Sequence, residues 1–176
     1  MADAARGLVY GRLKGMMSTK HPSISDTSRV VPAEAPLAEL TASYAETMPR
    51  LDRIHHVGVA CRDIEQMRAW VIASHVITHD SGIVHDPRQR ADLCILSVDG
   101  GPAIELVSGE MVAGVVRRGQ TYYHLCYEVV EIASAIVDLE ATGCRTVSPP
   151  TPAVLFGGRH VAFVLGPMGL VELLEA

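Results

Sequence analysis

The amino-acid sequence predicts an α+β fold in which two tandem βαβββ modules form one curved sheet around a central cavity. An order of strand, helix and further strands occurs twice in the chain. His56 and His124 lie 68 positions apart (124 − 56), and Glu105 and Glu172 lie 67 apart (172 − 105), so one spacing is repeated. Each repeat is too small to be a separate domain, and the two must therefore pair to bury a common core.

Module one, at about 51–108, opens with an apolar strand at 54–61. Strict alternation places His56 on the face that carries small residues, and His55 on the opposite face. The other predicted elements are an N-cap at Asp63, a helix to about Ser74, a polar histidine-rich loop, a strand at about 91–98, a turn at 99–102 and a strand at 103–107.

Module two, at about 121–176, repeats this pattern after a linker. In its first strand, at 122–129, alternation places Tyr122 and His124 on one face and Tyr123 on the other. The other predicted elements are a helix from Ile132 to near Gly143, a strand at 144–147, a proline-interrupted loop at 149–156, a turn at 157–158, and strands at 159–165 and 170–174.

Residues 1–50 show no sustained hydrophobic period and are rich in Ser, Thr, Pro and Ala. This composition predicts a flexible leader or linker ahead of a domain at 51–176. Residues 4–17 are basic and faintly amphipathic, so an organelle transit peptide is the alternative. A short helix at 35–48 is also compatible with the sequence. We expect a cytoplasmic protein, or a mitochondrial one if the leader is a transit peptide.

The composition excludes several classes of partner. A net charge of −5 gives no basic field for a nucleic-acid backbone, and 5% aromatic residues leave few side chains on which bases could stack. No apolar run approaches the roughly 18 residues that a membrane-spanning helix needs. The four cysteines are widely spaced without a Cys-x-x-Cys pair, which indicates reduced thiols and favours the cytoplasm.

The two glutamates, Glu105 and Glu172, lie among Ile, Leu and Val on short predicted strands. Burial of an unpaired carboxylate there would cost several kcal/mol, so both face water in a cavity or bind a cation. Two neutral imidazoles and two carboxylates form a ligand set that a divalent cation makes net-neutral, and the lack of thiolates disfavours a closed structural zinc site. The set predicts a metal-centred cavity for Co²⁺, Ni²⁺, Mn²⁺, Fe²⁺ or Zn²⁺. A metal-free binding protein is the alternative.

The repeated pattern of His, Glu, His and Glu over residues 51–176 resembles the vicinal oxygen chelate superfamily of glyoxalases and bleomycin-resistance proteins. Within that superfamily, local stretches of the sequence most resemble the methylmalonyl-CoA epimerases. These stretches are 54–63, 123–129, 157–163 and 169–173.

The resemblance implies that His56, Glu105, His124 and Glu172 are metal ligands, with Glu105 where epimerases often have glutamine. It implies an isomerase that moves the α-proton of an acyl-CoA thioester through a metal-stabilised enolate. Glu172 is then the base on one face of the enolate, and Asp92 is the acid on the other. The expected partners are an acyl thioester substrate and a second copy of the chain in a homodimer.

Two features leave other functions open. The carboxylate of Glu105 and the bulky segment 154–156 favour a related metal enzyme, either a lactoylglutathione-lyase-like glyoxalase or a tailoring enzyme for a natural product. A metal-free drug-binding resistance protein is the alternative from another class, although such proteins line the cavity with aromatic residues, and this chain has few. An extradiol dioxygenase would use two His and one Glu, so a liganded Glu105 disfavours it.

Overall fold

The computed structural model describes residues 51–176. The elements are β1 (Ile54–Ala60), α1 (Ile64–Ser74), β2 (Ile77–Asp80), β3 (Val84–Asp86), β4 (Ala91–Val98), β5 (Ala103–Gly109), α2 (Ala113–Arg117), β6 (Tyr122–Val129), α3 (Ile132–Ala141), β7 (Arg145–Pro152), a 3₁₀ turn (Val154–Phe156), β8 (His160–Gly166) and β9 (Gly169–Glu175). The predicted leader at 1–50, its short helix at 35–48 and the alternative of a transit peptide lie outside the described residues.

The strands form one mixed sheet in the order β2, β4, β5, β1, β6, β9, β8, β7, with β3 also paired to β4. β1 runs parallel to β5, and β6 runs parallel to β9. β1 and β6 are antiparallel to each other, so the two modules meet at this pair. The predicted α+β fold of two tandem βαβββ modules in one sheet is confirmed, with β3 as an addition to the first module.

The face of the sheet that packs on the helices, called here the helix face, holds two apolar clusters, one under α1 and one under α3. Asp63 caps α1, because its carboxylate accepts a hydrogen bond from the backbone N–H of Gln66 at 2.9 Å. The buried side of α1 packs on β4 and β5. This cluster contains Ile64, Val71, Cys94, Leu96 and Leu106.

The helix of the second module, α3, is capped at both ends. The carboxylate of Glu131 accepts hydrogen bonds from backbone N–H groups of the first turn. At the other end, the N–H of Gly143 donates to the carbonyl of Glu140 and the N–H of Cys144 to that of Leu139, at 3.0 and 3.1 Å. This pair of bonds is a Schellman motif, with Gly143 at φ 91° as its left-handed residue. No helix in the described part of the chain is long and apolar enough to cross a lipid bilayer.

The structure differs from the sequence-based expectation in two segments. The stretch predicted as a histidine-rich loop contains β2 and β3, which pair with successive parts of β4. β7 continues to Pro152, through residues predicted as a loop. β7 lies at the edge of the sheet, where a proline need not donate a ladder hydrogen bond to a second neighbour.

Candidate metal centre

Four side chains from four neighbouring strands meet on the face of the sheet opposite the helices, called here the cavity face. They are His56 on β1, Glu105 on β5, His124 on β6 and Glu172 on β9. All four are buried, with exposed fractions between 0% and 6%. One possible ligand atom from each lies within 4.8 Å of those from the other three. The structure therefore brings together the four residues that the repeated spacing identified.

The distances within this group suit a shared coordination sphere. The Nε2 atoms of His56 and His124 are 3.0 Å apart. The Oε2 atom of Glu172 lies 2.8 Å from the first nitrogen and 3.1 Å from the second. The Oε2 atom of Glu105 lies 3.5 and 3.4 Å from them. Two ligands about 2.1 Å from one ion and at right angles are about 3 Å apart, so little adjustment separates these positions from metal ligation.

The strand register explains why the four side chains meet. Gly58 on β1 is paired with Glu105 on one side and with His124 on the other. Cys126 on β6 is flanked in the same way by the other two ligands. Directly paired residues lie on the same face of a sheet, so each small residue stands between two ligands. Gly58 and Cys126 are 68 positions apart (126 − 58), which extends the duplication to the floor of the site.

Gly58 is required by the close approach of His124. A Cβ atom at position 58 would lie 2.2 Å from Cε1 and 2.3 Å from Nδ1 of the His124 ring, whereas ordinary contacts are 3.4–4 Å. The imidazole therefore lies against the bare backbone of β1. Any residue larger than glycine at this position would displace the ring.

The protonation of the buried group depends on its internal hydrogen bonds. Burial alone would lower the pKa of His56, but hydrogen bonds with Cys126, Glu105 and Glu172 outweigh burial and raise the pKa to about 12. Burial raises the pKa of Glu172, while hydrogen bonds with His124 and His56 lower it to about 2. The buried carboxylates thus require a positive charge beside them, which either an imidazolium or a divalent cation can supply.

The chemistry of the donor set fits a divalent ion. Two imidazole nitrogens and two carboxylate oxygens, without a thiolate, are ligands that Co²⁺, Ni²⁺, Mn²⁺, Fe²⁺ and Zn²⁺ all accept. The Nδ1 atom of His56 lies 2.9 Å from Nδ1 of His55, a contact that fixes the ring with Nε2 toward the group. The Nδ1 atom of His124 is buried and has no hydrogen-bond partner within residues 51–176.

Two bulges in the pairing of β1 with β6 reorient residues beside the ligands. The register shifts by one residue at two places, with His55 as the extra residue on β1 and Tyr123 as the extra residue on β6. His55 lines one pocket on the cavity face, and Tyr123 lines another together with Glu105 and Glu172. The prediction that they lie on the face opposite the ligands is wrong, because alternation fails at a bulge. The one signal in the sequence is that both precede a ligand histidine at the repeated spacing of 68 (123 − 55).

Asp92 is not brought to the four ligands. Its carboxylate lies 2.7 Å from Nδ1 of His85 on β3, and its side chain is 46% exposed. Ile95, three residues along β4, is paired with Glu105 and lies on the cavity face, so alternation places Asp92 on the other face. The predicted role of Asp92 as the acid opposite Glu172 is corrected accordingly, since its carboxylate does not face a substrate held at the four ligands.

Two pockets lie on the cavity face, and the inner one is lined by two of the candidate ligands. The inner pocket has a volume of about 20 Å³, and its polar lining residues are Gln89, Glu105, Tyr123 and Glu172. The outer pocket has a volume of about 520 Å³, and its polar lining residues are Arg53, His55, His79 and Ser97. Phe156, from the 3₁₀ turn, lines both pockets.

Tyr123 is the pocket residue that alternation misplaced most clearly. Burial raises the pKa of its hydroxyl well above the ordinary value of 10.0, and the negative charges of Glu105 and Glu172 raise it further. The hydroxyl is therefore protonated at neutral pH. It gives the inner pocket a hydrogen-bond donor beside two carboxylates.

A sequence model of the Glyoxalase/Bleomycin resistance protein/Dioxygenase superfamily matches residues 55–163. No curated protein sequence matches the chain.

Several solved structures share the fold. A hypothetical protein from Bacillus halodurans C-125 is similar at 22% identity and a TM-score of 0.57, over 70% of this chain and 94% of the other. Methylmalonyl-CoA epimerase from Mycobacterium tuberculosis is similar at 20% identity and a TM-score of 0.57, over 69% of this chain and 86% of the other. A Streptomyces coelicolor methylmalonyl-CoA epimerase variant in complex with 2-nitronate-propionyl-CoA is similar at 19% identity and a TM-score of 0.56, over 70% and 94%.

Proposed function

Because the chain belongs to the glyoxalase/bleomycin resistance protein/dioxygenase superfamily, we propose that it is a metal-dependent isomerase that epimerises the α-carbon of an acyl-CoA thioester, in the manner of a methylmalonyl-CoA epimerase. The observation that carries the proposal is the convergence of four buried ligand atoms within 4.8 Å of one another. The methylmalonyl-CoA epimerases among the structural neighbours motivate the substrate class.

His56, Glu105, His124 and Glu172 would hold the ion. When bound, the ion supplies a Lewis acid that stabilises the negative charge on the substrate oxygens as the α-proton leaves. The chain itself contributes preorganisation, since the strand pairing fixes the four side chains before a substrate arrives. Their burial also excludes water, which strengthens every electrostatic interaction at the site.

Glu172 is the proposed base. Its pKa is lowered to about 2, so the carboxylate is ionised at neutral pH and can accept a proton. It lines the inner pocket together with Tyr123. The protonated hydroxyl of Tyr123 is proposed to donate a hydrogen bond to a substrate oxygen and to orient the α-carbon toward Glu172.

The test compares two variants that each replace one carboxylate by an amide of the same shape. Exchange of the α-proton of methylmalonyl-CoA with deuterated solvent is followed by mass spectrometry. Glu172→Gln should abolish exchange, whereas Glu105→Gln should retain it, because epimerases often have glutamine at that position. Metal content is measured for both variants to separate loss of the base from loss of the ion. Wild-type exchange in Glu172→Gln would contradict the assignment of the base.

A lactoylglutathione-lyase-like activity is the second candidate function. The Oε2 atom of Glu105 lies 3.5 and 3.4 Å from the two imidazole nitrogens, and a second carboxylate at this position would make a bound ion a weaker Lewis acid. Turnover of a methylglyoxal hemithioacetal without proton exchange on methylmalonyl-CoA would favour the lyase. A purified protein that neither contains nor takes up a divalent ion would favour a metal-free binding protein instead.

A further inference from the structure

The inner pocket is too small for the substrate of the reaction proposed above. Its volume is about 20 Å³, which is room for about one water molecule. An acyl group that reaches Glu172 therefore needs a wall of this pocket to move. Most of the wall consists of strand residues whose positions are fixed by ladder hydrogen bonds on both sides. The lining residues outside the strands are Gln89, Met111 and the segment 153–156, and of these only Phe156 also lines the outer pocket.

Phe156 stands between the two pockets. Its ring is stacked on the ring of His56, with centroids 5.4 Å apart and an interplanar angle of 21°. It also meets the ring of His55 edge-on at 5.5 Å. The outer pocket on its other side has a volume of about 520 Å³, which is a typical size for a small-molecule site. Rotation of this one ring toward the outer pocket would join the two spaces.

The turn that carries Phe156 is closed by its own hydrogen bonds, so a rotation of the side chain needs no movement of the strands. The N–H of Phe156 donates to the carbonyl of Ala153 at 3.3 Å, and the N–H of Gly158 donates to the same carbonyl at 2.9 Å. Gly157 and Gly158 follow at φ 66° and 88°, which only glycine adopts without strain. The neighbouring Leu155 packs in an apolar cluster with Leu93 and Val107 and anchors the turn, whereas Phe156 packs against a different cluster, which contains Cys126.

We propose that Phe156 is the size-selecting residue of the site: its ring closes the passage from the outer pocket to the ligands, and a substrate enters only by displacing it from His56. The outer pocket then holds the part of the substrate beyond the reacting centre. This inference rests on the proposed function for its substrate, but the closure of the passage is a property of the chain and is tested without turnover.

Cys126 lines neither pocket but lies beneath Phe156, so its accessibility reports whether the ring covers this part of the cavity face. It is 0% exposed, and it lies in the apolar cluster against which Phe156 packs, on the cavity face. Cys94 is also 0% exposed but lies on the helix face under α1. Alkylation of the full-length protein by N-ethylmaleimide is followed for each cysteine by peptide mass spectrometry. In Phe156→Ala, N-ethylmaleimide should alkylate Cys126 at least tenfold faster than in wild type, while the rate at Cys94 stays unchanged. In Phe156→Leu, the rate at Cys126 should rise by less. An unchanged rate at Cys126, or an equal acceleration at Cys94, would overturn the proposal.

A second measurement tests selection by size. With methylmalonyl-CoA and ethylmalonyl-CoA as alternative substrates, Phe156→Ala should raise the ratio of kcat/KM for the larger over the smaller at least tenfold, because one methylene is discriminated about 10–200-fold in a closed pocket. An unchanged ratio together with fast alkylation of Cys126 would overturn the role of Phe156 in selection. If no thioester is turned over by wild type, the proposed function fails while the alkylation result still decides whether Phe156 closes the passage.

Discussion

Gly58→Ala is the substitution that tests the metal centre most directly. The added Cβ would lie 2.2 Å from Cε1 of His124, and the closest ordinary contact is 3.4 Å, so the ring must move by about 1.2 Å (3.4 − 2.2). Metal–ligand distances tolerate only about 0.2 Å. His124 can therefore not remain a ligand in the position that it occupies. Loss of a positioning partner alone costs about 10–100-fold in metal affinity, and the loss of a ligand costs at least the upper value.

The effect of Gly58→Ala on the free energy of unfolding follows from the linkage between ion binding and folding. At a free ion concentration of 100 times the wild-type Kd, the ion stabilises the wild-type protein by about 2.7 kcal/mol. A 100-fold weaker Kd reduces this stabilisation to about 0.4 kcal/mol under the same conditions. Urea unfolding with and without Zn²⁺, and calorimetric titration of the ion, measure both quantities.

The matched control is Gly101→Ala, because position 101 has no atom within 4 Å of an added Cβ and does not need a left-handed backbone. This variant should bind Zn²⁺ as the wild type does. Without the ion, Gly58→Ala should lose about 1–3 kcal/mol of unfolding free energy from overpacking alone. A Zn²⁺ affinity of Gly58→Ala within about threefold of wild type would refute the reasoning, since His124 would then not be a ligand.

Further predictions concern charge, the corrected residue and the fold. The pKa of His56 is raised to about 12, so its proton must leave before Nε2 binds an ion. In competition titrations, Zn²⁺ affinity should therefore rise about tenfold per pH unit from about pH 6 to 8. A flat profile would show that His56 is not a ligand. The pKa of Glu172 is lowered from 4.5 to about 2, so in the metal-free protein its contribution to stability is present above about pH 4.5 and disappears as the pH falls toward 2. Urea unfolding across that range should therefore be less pH-dependent in Glu172→Gln than in wild type, and equal slopes would contradict the pairing. Asp92→Asn should leave α-proton exchange within about twofold of wild type, because Asp92 lies on the other face of β4; a loss of more than tenfold would restore its catalytic role. Asp63→Ala should lower the free energy of unfolding in urea by about 1 kcal/mol, because it removes the oxygen that caps α1. Asp63→Asn keeps a capping oxygen and should stay close to wild type.

Where the sequence predicted well, the structure depended on local physical chemistry. The alternation around His56 and Gly58 correctly indicated which face of β1 has room, because side chains of an unbulged strand point to opposite faces in turn. The caps at Asp63 and Gly143 were visible for the same reason, since a cap acts on the backbone within a few residues. The duplicated spacing added a long-range constraint that a single strand lacks. It placed His124 and Glu172 in the same relation as the first pair.

The predictions failed where a residue's position depends on a partner strand. The strands β2 and β3 form only because β4 offers them an edge, and β7 accepts its prolines because its outer edge is unpaired. Asp92 was placed beside the substrate by resemblance across a loop, and its face became fixed only by the register of β4 against β5.

The sequence by itself determined the α+β class, the two modules and the four candidate ligand residues, because apolar alternation and a repeated spacing are properties of the chain order. The tertiary structure alone decided what surrounds the ligands. One bulge on β1 and one on β6 turn His55 and Tyr123 toward the pockets. A 3₁₀ turn between β7 and β8 of module two places Phe156 on His56. These positions arise from pairing between modules, where one extra residue redirects a side chain, and no local pattern in the chain encodes that event.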